Sequence, residues 1–282
     1  MLVVRPDVLE DGHVGDLATL LRPGDVLVFN DTRVIPAQLE GRRGDARVGA
    51  TLHKREGARR WRAFLRNARR VREGDAISFE QGVRATASDR LPDGSMALEF
   101  DGDEPVEILL ERAGRMPLPP YIASRRAADG RDAADYQTMF AREKGAVAAP
   151  TAALHFTPEL MARLAAAGVA RETLTLHVGA GTFLPVKAED TVNHVMHSEW
   201  GRIDATAAER LNRVRAAGGR IVAVGTTVLR LLESAADSEG RISPSRAIPT
   251  SSSRPAIAFV SPMPSSPIST CRARRCSCWC PH

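Results

Sequence analysis

Apolar and polar positions follow two rhythms along this chain, and each predicts a different architecture. Short apolar runs near glycine turns occur at 26–29 (VLVF) and 220–224 (RIVAV), the mark of buried strands, and residues 172–178 (ETLTLHV) alternate with β-branched residues as a strand does. Helical spacing appears at 106–112 and again at 158–166. The second helix is opened by Thr157-Pro158-Glu159 and stopped by Gly168. A third helix spans 204–218, with Asp204 as cap, Leu211 and Val214 inward, and Arg210, Arg213 and Arg215 outward. Strands alternating with helices predict an α/β core. From 38 to 100 the rhythm shortens. Strands at 48–52, 61–65, 76–79, 83–87 and 96–100 are separated by Gly44-Asp45, Glu73-Gly74-Asp75 and Asp93-Gly94. Even spacing with such turns predicts a small antiparallel barrel. The expected fold is an α/β (α+β) core domain interrupted by a small antiparallel β-barrel. The core takes 1–37 and 105–242, and the barrel 38–104.

Polar residues gather where the core strands should end. Asn30-Asp31-Thr32-Arg33 follows the strand at 26–29. A hydrogen-bonded Asx turn accounts for Asn30 alone equally well. Asp31 together with Arg33 favours a site. His177 ends the strand at 172–178, just before Gly179-Ala180-Gly181. Ligands of α/β folds collect at that edge of the sheet. His155 lies in the polar turn at 150–157. Gly225-Thr226-Thr227 opens a helix running through Ser234, which suits either a ligand's polar group or a plain hydroxyl cap. His194-x-x-His197-x-Glu199 invites a metal. The residues that follow look extended, however, and no cysteine or acid cluster supplies further ligands, so no metal is expected. General acid–base use of these histidines falls between the metal reading and a polar loop. Residues 117–121 (PLPPY) make a stiff extended loop that either links two elements or holds Tyr121 at a pocket wall. Residues 123–134 read as a mobile loop, with Asp135 capping the helix after it.

Charge and cysteine change the picture only at the C-terminal end. The formal net charge is +5, from 39 basic and 34 acidic residues. Residues 243–282 hold Arg246, Arg254, Arg272, Arg274 and Arg275 and no acid, so the remainder is neutral. All four cysteines also lie there, and their Cys-x-Cys-x-Cys spacing is not that of a structural zinc site. Ten serines and seven prolines make 243–282 an aberrant segment, expected to be disordered. One internal bias remains: residues 38–72 carry twelve Arg or Lys against Glu40, Asp45 and Glu56. That cluster, with Trp61 as a stacking surface, suits RNA phosphate contacts, although a solvated basic surface reads slightly better from the residues alone. No apolar run is long enough to span a membrane. The opening MLVVRPDVLEDGH lacks a signal-peptide pattern, so a cytoplasmic protein is expected.

Several motifs carry a resemblance when taken together. They are residues 23–37 (PGDVLVFNDTRVIPA), 116–122 (MPLPPYI), 135–137 (DYQ), 194–199 (HVMHSE) and 224–230 (VGTTVLR). Across residues 2–242 the chain closely resembles the S-adenosylmethionine:tRNA ribosyltransferase-isomerases of queuosine biosynthesis. The resemblance implies transfer and isomerisation of the ribosyl group of S-adenosylmethionine, which acts as a substrate. The acceptor would be 7-aminomethyl-7-deazaguanine at the wobble position of tRNA. Epoxyqueuosine would form, with adenine and methionine released. The partners implied are tRNA and S-adenosylmethionine, with no membrane, and a monomer is expected. A basic barrel then becomes a candidate tRNA-binding surface. Proton transfer falls to Asp31, His155, His177 and Glu199 as candidates. Gly179, Gly181, Thr226 and Thr227 are candidate S-adenosylmethionine contacts, and Arg33 and Arg230 candidate polar anchors. Two alternatives stand beside this: a metal-dependent hydrolase on His177, His194, His197 and Glu199, and a catalytically impaired RNA-binding protein.

The resemblance also fails at both ends. Family members have an opening segment before the point where this chain starts, which implies an N-terminal truncation. They end in a Pro-Gly-Tyr-Arg turn and a Thr-Asn-Phe-His-Leu-Pro motif that residues 243–282 lack. Reading the third base of each codon with the first two of the next lets residues 253–258 and 266–276 encode those motifs. A frameshift between Ile242 and Arg246 is therefore expected, and the nucleotide sequence tests it.

Overall fold

The computed structural model describes residues 1–126, 128–179 and 199–246, without the side chains of Pro120 and Tyr121. The chain opens with an antiparallel hairpin, β1 (Leu2–Val4) and β2 (Leu9–Asp11), that joins no other strand among the described residues. A short helix, α1 (Leu17–Leu20), precedes β3 (Val26–Asn30), whose five residues are all buried. Burial on both faces is what a continuous apolar run demands of a central strand. Next comes β4 (Thr32–Val34), where only Arg33 is exposed. Residues 30–33 were expected as a polar turn; instead Asn30 ends β3 and the chain pairs again from Thr32.

The barrel follows. Its strands are β5 (Gln38–Arg43), β6 (Ala46–Arg55), β7 (Arg60–Arg66), β8 (Ala76–Phe79), β9 (Arg84–Arg90) and β10 (Met96–Phe100). They close in the order β10-β7-β6-β5-β8-β9, so no edge is left unpaired. Leu39, Leu52, Ile77, Met96 and Leu98 fill the interior. The sequence pattern does not predict β5, because QLEGRR has no β-branched or aromatic residue. Its partners on both sides recruit it. Gly41 permits the close approach: a Cβ there would lie 2.5 Å from the Ser78 carbonyl oxygen. One end of the barrel is stopped by α2 (Val106–Ala113), whose Val106, Leu109 and Leu110 join the barrel core.

Two expectations in the following segment are corrected. The proline loop ends in a helical turn, α3 (Pro120–Ala123), with Pro120 in the first position, where its missing N–H costs nothing. Asp135 closes rather than opens a helix, α4 (Asp132–Asp135). The organiser is Asp132, which is buried and accepts from Arg126 and from the Asp129 N–H at 2.7 Å. A further unpredicted strand, β11 (Glu143–Ala146), lies parallel to β4.

The rest of the chain completes the core. It comprises α5 (Pro158–Ala166), β12 (Ala170–His177), β13 (Trp200–Arg202), α6 (Ala205–Ala216), β14 (Ile221–Ala223) and α7 (Thr226–Ala235). Both expected caps form: Thr157 accepts from the Leu160 N–H at 3.3 Å and Asp204 from the Ala207 N–H at 2.7 Å. The sheet order is β13-β12-β3-β14, with β12 and β14 parallel to β3 and β13 antiparallel. Alternation along β3 divides the packing into two layers. Val26 and Val28 face α6 and α7 with Leu211, Val228 and Leu231. Leu27 and Phe29 face α5 with Leu160 and Leu164. Phe29 stacks on Phe140 at 3.9 Å and meets Phe156 edge-on at 4.8 Å. Each ring pair adds about 0.5–1.5 kcal/mol beyond its burial. Ile242 is buried in the same core, and Ser245 bridges Ile203, so the ordered core runs slightly past Ile242. The rest of the segment expected to be disordered, 247–282, lies outside the described residues.

Candidate active site

Three parallel strands, β3, β12 and β14, deliver their carboxyl ends to one edge of the sheet. Asn30 fixes their register there. Its Oδ1 accepts from the Leu176 N–H at 3.0 Å and the Thr32 N–H at 3.1 Å, and its Nδ2 donates to the Leu176 carbonyl at 2.8 Å. Asn30 is thus a structural clasp, as the Asx-turn reading allowed.

Beyond the clasp, two polar pairs stand side by side. Asp31 accepts from the Thr175 hydroxyl at 2.7 Å and from Arg142 at 2.7 Å. Burial pushes the Asp31 carboxyl above the usual carboxylate range, against the lowering effects of Thr175 and Arg142. Thr32 meets the second pair member, His177, through Oγ1···Nδ1 at 2.8 Å. Thr175 and His177 are two apart on β12 and so share a face. Burial lowers the His177 imidazolium below histidine's ordinary range. Its ring is held by two neighbours that the sequence did not flag. Trp200, its register partner on β13, stacks on it at 4.8 Å and 18°. Gly145 lies so close that a Cβ there would be 2.7 Å from the ring's Nε2.

A second cluster adjoins through the dipeptide Glu199–Trp200. Glu199 accepts from the Gly179 N–H at 3.2 Å and from Arg230 at 2.6 Å. This joins three predicted residues, but it commits the Glu199 carboxylate to an ion pair. Gly225, with φ +92, caps α7 without any side-chain cap. The plain hydroxyl cap is therefore not what Thr226 and Thr227 provide. Thr226 is exposed, while the Thr227 Oγ1 is buried without a hydrogen-bond partner. The turn at Thr151–His155 packs over this start, since a Cβ at Gly225 would lie 3.2 Å from the Ala152 Cβ. His155 itself is exposed.

Arg33 stands apart from this cluster. Alternation along β4 turns it to the exposed face, opposite Thr32, beside its register partner Lys144. Gly181, His194 and His197 lie outside the described residues. Among the described residues, no three His, Cys, Asp or Glu side chains converge as metal ligands would. No described helix is long and apolar enough to cross a membrane.

A doubly covered sheet with acid, imidazole and hydroxyl groups at its carboxyl edge, and a closed barrel inserted after its first strand, defines an α/β protein with a polar cluster where such folds bind their ligands. A family model described as "Queuosine biosynthesis protein" matches residues 1–264. The chain belongs to that family. It is 74% identical over 236 residues to the S-adenosylmethionine:tRNA ribosyltransferase-isomerase of Rhizorhabdus wittichii, covering 84% of this chain and 69% of the relative. The protein of the same name from Zymomonas mobilis is 58% identical over 244 residues, covering 86% of this chain and 71% of the relative. A crystal structure of S-adenosylmethionine tRNA ribosyltransferase from Thermotoga maritima is 27% identical, with a TM-score of 0.34, covering 82% of this chain and 63% of that one.

Proposed function

We propose that this protein is an S-adenosylmethionine:tRNA ribosyltransferase-isomerase. It would transfer and isomerise the ribosyl group of S-adenosylmethionine onto 7-aminomethyl-7-deazaguanine in tRNA, giving epoxyqueuosine, adenine and methionine, in the cytoplasm. The observation that carries the proposal is family membership at 74% identity, joined to a half-buried histidine at the sheet's carboxyl edge.

The reaction needs a base near the carbon beside the sulfonium, because a positive sulfur acidifies its neighbours. His177 suits that role. Its lowered pKa keeps the ring neutral at neutral pH. The Glu143 carbonyl, 3.5 Å from Thr32 Oγ1, can only accept a hydrogen bond. The Thr32 hydroxyl then donates to that carbonyl and accepts from His177 Nδ1–H, which leaves the lone pair on Nε2. The reaction also needs an acid for departing adenine. Asp31, whose burial favours the protonated form, is the candidate for that role. Glu199 and Arg230 stand beside this cluster as an ion pair. The orphaned Thr227 hydroxyl, at the start of a ten-residue helix, fits a polar group of S-adenosylmethionine.

The test is adenine release from S-adenosylmethionine in the presence of tRNA. Wild-type protein should release adenine, and His177→Ala should lose at least about a hundredfold, the usual worth of a general base. Wild-type turnover by His177→Ala would remove the histidine from the mechanism.

A further inference from the structure

Half of the basic run at 38–72 is taken up by ion pairs. Arg43 pairs with Asp75, Arg55 with Glu107, Arg59 with Asp103, Arg60 and Arg62 with Glu56, and Arg66 with Glu40. Those six of its twelve cations are therefore not free positive charge. One place differs. A cleft of about 710 Å³ lies between the outer face of β5, β6 and β8 and the segment around α3, and five arginines line it: Arg42, Arg47, Arg66, Arg115 and Arg126. Three of them are braced by acids, Arg66 by Glu40, Arg115 by Glu80 at 2.8 Å and Arg126 by Asp132. These pairs fix the walls. Arg66 also lies flat against Gly49, where a Cβ would be 3.2 Å from its guanidinium.

Arg42 and Arg47 are another matter. They are direct cross-strand partners on β5 and β6, and among the described residues neither makes an ion pair. Like charges directly opposite one another destabilise a strand pair. An anion between them removes that repulsion, and a chain of phosphates does so at a spacing that two adjacent strands can match. The cleft is also near the candidate site. Gln38 forms part of its wall, and only the stretch from Thr32 to Gln38 separates them, at most about 20 Å when fully extended.

We propose that this cleft carries the phosphate backbone of the tRNA substrate, with Arg42 and Arg47 as the central contacts. The proposal rests on the tRNA reading above. It is tested by binding of a tRNA transcript to the full chain as salt is raised. Arg42→Glu/Arg47→Glu should weaken binding at least tenfold and lower the slope of log affinity against log salt by about 2. Wild-type protein would accordingly lose roughly tenfold more affinity than the variant between about 50 and 200 mM salt. Arg69→Glu/Arg70→Glu makes the same charge change on the same barrel outside the cleft, and should leave the slope unchanged. Equal losses in both double variants, or a loss in neither, would overturn the cleft assignment while the tRNA reading stands. Wild-type protein that binds no tRNA would overturn both. Retained S-adenosylmethionine binding checks the fold of each variant. Should the charge reversal not fold, Arg42→Gln/Arg47→Gln asks the same question, with the same drop in slope expected and an unchanged slope refuting it.

Discussion

Adding one methyl group at Gly145 should damage the candidate site without touching a functional group. Gly145 is the irregular residue of β11, where the register with β4 shifts, and its φ is +150. A Cβ would sit 2.7 Å from His177 Cδ2 and Nε2 and 2.9 Å from Cε1. Two responses are open to Gly145→Ala. If the ring stays, the overpacking costs about 1–3 kcal/mol. If it swings away, it forfeits the Thr32 hydrogen bond, about 0.5–1.5 kcal/mol, and the Trp200 stack, about as much again. The backbone conformation adds about 1–3 kcal/mol on either route. The single variant should therefore lose about 2–6 kcal/mol.

A double-mutant cycle separates these terms. In a His177→Ala background the ring is gone, and Gly145→Ala should cost only the backbone term. The coupling between the two positions is then about 1–3 kcal/mol, with the double variant more stable than the sum of the singles predicts. Urea unfolding of the four proteins measures it, and thermal midpoints should follow at about 2–4 °C per kcal/mol. Additivity within about 0.5 kcal/mol would refute the contact between Gly145 and the ring. Gly145→Ala should also lose adenine release, since displacing the ring misplaces Nε2.

The remaining expectations concern charge and stacking. Asp31→Asn should unfold no earlier than wild type at neutral pH. A carboxyl held above its ordinary pKa loses stability as pH rises through that interval, so the ionised form is a net penalty that Asn removes. Adenine release should nevertheless fall, and a lowered melting temperature would contradict the account. Arg220→Met removes the cation bonded to the buried Asp25 at 3.0 Å. Burial alone would raise the Asp25 carboxyl, but hydrogen bonds from Arg220 and the Arg22 N–H outweigh it and hold it low. The loss should be about 2–4 kcal/mol at neutral pH. It should shrink as pH falls through the carboxylate range, where wild type loses its own advantage; a gap independent of pH would count against the pair. Trp200→Ala should hydrate His177 and raise its pKa, moving the acid limb of the pH–rate profile upward, while Trp200→Phe should keep the wild-type limb. Identical profiles for all three would exclude Trp200 as a positioning residue.

What could be read from the sequence, and what could not, divides along one physical line. Strand β3 was legible because burial on both faces writes itself as a continuous apolar run, β12 and β14 because β-branched and apolar residues run up to a glycine turn, and His177 because a polar residue at the end of such a strand has few other uses. The helix caps Thr157 and Asp204 were legible for a similar reason, since each satisfies backbone donors within its own first turn. The strands β4, β5 and β11 were not, because their pairing is decided by distant partners rather than by their own residues. That single omission accounts for the separation of Arg33 from the cluster. Read as a turn, Asn30-Asp31-Thr32-Arg33 puts four polar side chains in one place. Once Thr32–Val34 pairs with β11, alternation sends Arg33 to the far side and leaves Thr32 facing His177. Trp200 and Gly145 were missed by the same logic. Their bearing on His177 comes from a cross-strand register and a parallel pairing, and neither leaves a periodic trace. The chemistry-bearing residue was therefore readable from its own strand, whereas the groups that set its tautomer, burial and orientation belong to three other strands. Its proton chemistry is consequently a property of the sheet's assembly, and the coupling between Gly145 and His177 measures that assembly directly.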